Sequence, residues 1–176
     1  LYLRNNQFQL VHDNALYSFG NKYKPFSVAF DHLAGQLNTA HRALILGAGM
    51  GSIPQMLEER FMQNNEYTIV ELDSTILQLC KHHLSTYKID FVDYIHQDAF
   101  EYLNEQPRAP FSLICIDIFL ELEVPEACIS DNFVKQIHKF LSQGGYAIMN
   151  YIQHVEGEWE ELLFLFQKHF KNVEVI

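Results

Sequence analysis

The chain has 176 residues, 48% of them hydrophobic and 14% aromatic, which suits one globular domain with a sizeable core. Its formal net charge of −10 repels phosphate backbones, no Lys/Arg cluster offsets it, and nucleic acid is excluded as a partner. No apolar run reaches the ~18 residues of a membrane span, and no basic-then-apolar leader is visible, although the chain begins at Leu1 without a Met.

Residues Leu1 to Leu16 contain the alternating stretches "LYLRN" and "FQLVHD" around "NN", the pattern of a β-hairpin or paired edge strands, and residues 1–20 are read as a short N-terminal extension. "KPFSVAFDHLAG" follows as a helix, with Pro25 near its start, Gly35 as its stop, and Phe26, Val28, Ala29, Leu33 and Ala34 on one face. From Arg42 strands and helices alternate. "RALILG", "YTIVEL", "FVDYIH", "FSLICIDIF", "YAIMNYI" and "NVEVI" read as strands. "SIPQMLEERFM", "DSTILQLCKHHLSTY", "DAFEYLNEQ", "SDNFVKQIHKFLSQGG" and "EGEWEELLFLFQKHF" read as helices, the fourth stopped by Gly144-Gly145. The pattern predicts an α/β fold, a doubly wound, mostly parallel sheet covered on both faces, over residues 21–176. Cys80, Cys115 and Cys128 are odd in number and form no CxxC, so a reduced cytoplasmic setting is expected. The histidines show no ligand spacing, and no metal is expected. The aromatic last helix carries apolar residues on more than one face, which fits deep burial or a partner surface such as a homodimer's.

In doubly wound sheets the ligand sits at the carboxyl ends of the strands. Those ends carry Gly47-Ala48-Gly49, Glu71, Asp98 and Asp117, one glycine turn and three carboxylates. The turn reads Gly47-x-Gly49-x-Gly51, with Ser52 at the last position of a dinucleotide fingerprint and no GK[ST] of a P-loop. Tight backbone approach without a nearby cation suits a carboxylate or sugar better than a diphosphate. Glu71, twenty residues after Gly51, can accept bonds from both hydroxyls of a ribose, or stand as a solvated strand end. Asp98 can meet an adenine amino group, cap the helix of "DAFEYL", or do both, since Glu101 completes a capping box. Asp117 ends the most apolar strand, where it can receive a proton from an attacking nucleophile or anchor a loop.

Taken together, "ALILGAGMGS", "YTIVELD", "HQDAFEYL", "FSLICIDIF" and "FLSQGGYAIMNYI" resemble a class I S-adenosylmethionine-dependent methyltransferase, and more closely its spermidine synthase branch, whose motifs run GGGDGG, VEID, GDA or GDG, and DSSDP. The resemblance spans Leu10 to Ile176. It implies a Rossmann-like methyltransferase fold whose last, antiparallel strand is missing here. It also implies an S-adenosylmethionine or decarboxylated S-adenosylmethionine site. Gly47, Ala48, Gly49 and Gly51 would line the cofactor, Glu71 would hold its ribose, and Leu72, Asp98 and Ala99 would surround its adenine. Asp117 would be catalytic, beside the sulfonium, and Tyr17 in "LYSFG" would face the substrate. The motifs also depart from that branch. Met50 replaces the Asp of GGGDGG, Leu120 stands at the second polyamine-holding Asp, and Phe19 replaces another substrate carboxylate. The far ammonium of a diamine thereby loses its partners. The expected function is transfer from S-adenosylmethionine to a small-molecule acceptor. The alternatives are an aminopropyltransferase, an NAD-binding oxidoreductase and a non-catalytic binding module that keeps the fold.

Overall fold

The computed structural model describes residues 2–4, 7–12, 15–18, 20–37, 42–61, 65–105, 107, 109–120, 123–153 and 157–176, with the N-terminal strands and residue 21 described by backbone alone. In chain order these residues form β1 (Tyr2–Arg4), β2 (Gln7–His12), β3 (Ala15–Ser18), α1 (Lys24–His32), α2 (Ala34–Leu37), β4 (Arg42–Leu46), α3 (Ser52–Arg60), β5 (Glu66–Glu71), α4 (Ser74–Thr86), β6 (Val92–His96), α5 (Ala99–Asn104), β7 (Phe111–Ile116), α6 (Asp131–Phe140), β8 (Leu141–Met149) and α7 (Glu158–His169). Single 3₁₀ turns at Gly20–Lys22 and Glu126–Ile129 precede α1 and α6.

The main sheet has five strands in the order β6-β5-β4-β7-β8, and every pairing in it is parallel. β4 to β6 step outward in one direction, then β7 returns to the other side of β4, so the strand order reverses between β4 and β7. Alternation along the strands divides the core in two. Ala43, Ile45, Tyr67, Ile69, Leu113 and Cys115 face α1, α3 and α4 through Phe26, Phe30, Met56, Leu57, Leu77, Cys80 and Leu84. Leu44, Leu46, Val70, Ile114 and Ile116 face α5 and α6 through Leu103, Phe133, Ile137 and Phe140. β4 and β7 are buried on both faces, which is why they read as unbroken apolar runs.

Four expectations are corrected. First, residues 1–20 do not form a single hairpin, because β1, β2 and β3 join in one three-stranded antiparallel sheet. Second, the main sheet is wholly parallel, and "NVEVI" adds no strand. Glu174 there bonds to His32 of α1, while Val175 and Ile176 stay exposed. Third, Val28 is 50% exposed, since only Phe26, Ala29 and Phe30 of α1 point inward and the helix breaks at Leu33 before α2. Fourth, α6 stops at Phe140, not at the glycines. Leu141 already pairs with Phe111, and the ladder resumes at Tyr146 opposite Leu113. Gly145 belongs to that irregularity, where a Cβ would come within 2.9 Å of the Ser112 carbonyl oxygen.

The tightest backbone approach in the sheet is at its switch point. Gly47 has φ +93°, and a Cβ on it would lie 2.2 Å from the Asp117 carbonyl oxygen. Gly47→Ala should therefore cost roughly 3 kcal/mol or more, because the obstacle is backbone and the conformation is left-handed. Gly35→Ala in α2, where a Cβ meets nothing within 4 Å, should be neutral or stabilising by less than about 1 kcal/mol. Urea unfolding of the two variants beside the parent protein measures both.

Candidate active site

Each parallel strand hands its successor one further ladder bond, and those bonds place the site. Gly47 N–H donates to Val70 O at 2.9 Å, Gln97 N–H to Glu71 O at 3.1 Å, Asp117 N–H to Leu46 O at 2.8 Å, and Asn150 N–H to Ile116 O at 3.0 Å. The residues just past the strand ends are thus held by sheet geometry although they lie in loops. They share the carboxyl edge of the sheet, where doubly wound folds bind ligands.

On one side of the switch point stand Glu71 and the glycine turn. Glu71 Oε2 accepts the Ala48 N–H at 2.8 Å, and Oε1 accepts the Asp73 N–H at 2.9 Å. Each oxygen keeps acceptor capacity after one such bond, enough for two vicinal hydroxyls. Gly49 has φ +47° and Gly51 +83°, and Gly51 N–H closes the turn on Ala48 O at 2.9 Å. Gly51 packs inward: a Cβ there would meet Leu84 at 2.7 Å and Cys80 at 3.2 Å, so this glycine seats α3 against α4. Met50, where the resemblance expects an Asp, is buried. Leu72, beside Glu71, is 57% exposed. Asp98 caps α5, its Oδ1 accepting Phe100 N–H at 2.7 Å and Glu101 N–H at 3.2 Å, and Ala99 begins the helix. Both cap bonds fall on one oxygen, so the capping and ligand-facing readings of Asp98 are compatible.

On the other side lies Asp117. Its Oδ1 accepts the Tyr23 hydroxyl at 3.0 Å and the Asn150 side-chain amide at 3.0 Å, and that amide also reaches the Tyr23 oxygen at 3.3 Å. As a residue Asp117 is half-buried, yet its carboxylate lies deep enough for desolvation to dominate its titration. Burial pushes it up to about 7, against the bonds from Asn150 and Tyr23, which favour the charged form, with the Glu71 charge adding to the rise. Burial, and then the charge of Asp117, also raise the Tyr23 phenol, so Tyr23 stays a donor at neutral pH. A carboxylate so poised can take a proton from a nucleophile near pH 7.

The glycine turn, Glu71, Leu72, Asp98, Ala99 and Asp117 thus converge on one edge, and the Glu71–Ala48 bond joins the first two directly. Tyr17 lies in β3, and its side chain is outside the described residues, as is Phe19. Two members escaped the sequence reading. Tyr23 occupies the N-cap of α1 without making a capping bond, an unusual place for an aromatic, which was the available signal. Asn150 follows the fifth core strand, so the strand-end rule that found Asp117 points to it as well. Among the described residues no group of three His, Cys, Asp or Glu is placed to hold a metal ion, and no helix is long and apolar enough to cross a membrane.

A parallel sheet with this order, a glycine turn after β4 and an acid ending β5 define the S-adenosylmethionine-dependent methyltransferase-like fold. The sequence matches the Spermine/spermidine synthase domain over residues 27–174, and the chain belongs to that family. Comparison with curated proteins finds no match. Among solved structures, a probable spermidine synthase from Corynebacterium glutamicum superposes with a TM-score of 0.71 at 20% identity, covering 88% of this chain and 57% of that one. Spermidine synthase from Thermotoga maritima gives 0.69 at 13% identity, covering 93% and 57%. Human methyltransferase-like protein 13, solved in complex with SAH, gives 0.64 at 20% identity, covering 77% and 65%. The chain therefore spans 57% of the length of either spermidine synthase.

The raised Asp117 fixes a sign for the pH dependence of stability. The folded state binds this proton more tightly than the unfolded chain. Its contribution is fully present below about pH 4 and is lost as pH rises through about 7. The stability difference between Asp117→Asn and the parent should therefore move in the variant's favour between pH 4 and pH 8, by on the order of 3 kcal/mol. Urea titrations at both pH values measure it, and a difference independent of pH would contradict the assignment.

Proposed function

We propose that this chain transfers the methyl group of S-adenosylmethionine to a small-molecule nucleophile, with Asp117 as the proton acceptor. Residues 21–176 would form the cofactor-binding unit and residues 1–20 an extension of it. The observation that carries the reading is the Asp117 carboxylate at the sheet's switch point, loaded on one oxygen by Tyr23 and Asn150 and at the same sheet edge as the Glu71-clasped glycine turn.

The residues suit an adenosine carrying a sulfur-linked tail. Glu71 retains acceptor sites for two ribose hydroxyls, Leu72 offers an apolar ledge to the base, and Asp98 has a second oxygen for an adenine amino group. A diphosphate suits it less well, because the Ala48 N–H is already given to Glu71 and a carboxylate stands beside the turn. The same bond counts against the NAD-dependent alternative.

When bound, the sulfonium supplies an electrophilic carbon and leaves as a neutral thioether. The chain's own work is alignment and proton transfer. Tyr23 and Asn150 hold Oδ1 still, so Oδ2 is the oxygen turned to the acceptor. Asp117 would take the proton that the acceptor gives up. Methyl rather than aminopropyl transfer is favoured by Met50 and Leu120, the first buried and the second 61% exposed and bridged to Glu123. Neither can pair with an ammonium. Aminopropyl transfer from decarboxylated S-adenosylmethionine is the second reading, favoured by the family match over residues 27–174.

Titration calorimetry with S-adenosylmethionine, its decarboxylated form and their thioether products tests the cofactor. Binding of none of them removes the proposal. Turnover assays with each donor against panels of amines and alcohols, putrescine included, test the chemistry. Asp117→Asn should lower turnover by roughly 10²- to 10⁴-fold with thioether affinity nearly unchanged, and Tyr23→Phe by about tenfold. Thioether binding without turnover on any acceptor would leave the non-catalytic binding module.

A further inference from the structure

The loop from Glu71 to Asp73 is pinned at every residue. Glu71 O accepts the Gln97 N–H, Glu71 Oε1 accepts the Asp73 N–H, and Asp73 Oδ1 caps α4 through Thr75 and Ile76. The Leu72 carbonyl alone lacks a backbone partner in this scheme. It is reached by a side chain from the next strand, His96 Nε2, at 2.9 Å. The acceptor is a carbonyl, so Nε2 must carry the proton, which it does both in the corresponding neutral tautomer and in the imidazolium. His96 pairs with Glu71 in the β5–β6 register, and its ring carries the ladder one residue beyond the last backbone rung. It also lies two residues before Asp98, the N-cap of α5. The bond is exposed, where water would satisfy the carbonyl equally well, so its consequence is geometric. It fixes the path of a loop that presents a 57%-exposed leucine next to the Glu71 carboxylate.

We propose that His96 is a positioning residue of the adenosine pocket: its ring N–H, on the Leu72 carbonyl, holds Leu72 as a preformed ledge for the base. This rests on the adenosine reading above. A ledge that is already ordered spares the ligand the cost of ordering it, so the effect belongs in affinity for the adenosine moiety and not in the chemical step.

The test compares His96→Phe, which keeps an aromatic ring and removes the donor, with His96→Gln, whose amide can reach the place of Nε2. 5′-Methylthioadenosine and S-adenosylhomocysteine are titrated into each full chain by calorimetry, and thermal unfolding is followed in parallel. His96→Phe should weaken thioether binding about three- to tenfold, the size of one hydrogen bond's worth of ordering, while His96→Gln stays within about twofold of the parent. Both should melt within about 2 °C of it, as exposed substitutions do. Where turnover is measurable, KM for the donor should rise and kcat should not. Unchanged affinity in His96→Phe overturns the inference. So does a loss of affinity that tracks a loss of melting temperature and is not rescued by Gln. A parent protein that binds neither thioether overturns the adenosine reading itself, and that result is seen before any substitution is made.

Discussion

The site depends on one close approach, the Gly47 backbone against the Asp117 backbone at the point where the strand order reverses. No side chain fits between them, since a Cβ on Gly47 would lie 2.2 Å from the Asp117 carbonyl oxygen. The ladder bond from Asp117 N–H to Leu46 O locks that approach. The turn after β4 and the backbone of Asp117 are thereby held at a fixed separation by sheet geometry. At this edge of the sheet, burial lifts the proton affinity of the Asp117 carboxylate toward neutrality. A carboxylate in that state weakens the fold at physiological pH.

The two halves of the site are supported differently. The glycine turn, Glu71 and Asp98 are held by backbone N–H donors, from Ala48 and Asp73 to Glu71 and from Phe100 and Glu101 to Asp98. Asp117 is held by side chains, and the support reaches back into the core. Tyr23 is 5% exposed and stacks on Phe26, which packs on Phe30, and both phenylalanines are fully buried among Leu37, Met56 and Leu57. The phenol is therefore fixed by the hydrophobic packing of α1, and a cavity opened under Phe26 would be felt at Asp117. A ligand's common part would meet backbone-defined geometry, and its variable part would meet packing-defined geometry.

How legible the molecule was follows the same division. β4, β5 and β7 were visible because parallel strands covered on both faces are written as short apolar runs, β6 because it alternates at the sheet edge, and the strand-end rule then delivered Gly47, Glu71, Asp98 and Asp117 to one edge. The end of α6 was not visible. Gly144-Gly145 has the signature of a helix stop, but these glycines serve a strand irregularity beside Ser112. "NVEVI" alternates like a strand, yet pairing is a property of the neighbour as well as of the segment, and here Glu174 finds α1 instead. Tyr23 was hidden because its partner, Asp117, is 94 residues away, and no local pattern encodes a contact of that range. Asn150 stands at a strand end as Asp117 does, but an uncharged amide does not mark itself out there.

Family membership and local departure can now be weighed on the same residues. The family match covers residues 27–174, which include the turn after β4, the acid ending β5 and the acid that follows β7. The departures fall elsewhere. Met50 is turned into the core, where it fills space that a carboxylate could occupy only at high cost, and Leu120 is exposed and bridged to Glu123. Neither change touches the Glu71 clasp or the Tyr23–Asn150 hold on Asp117. In the proposed reading, then, the cofactor grip and the proton acceptor are set by strand ends that cannot move without breaking the sheet. The acceptor is set by side chains that can change without disturbing them. On that reading, substrate preference is the property least constrained by the fold.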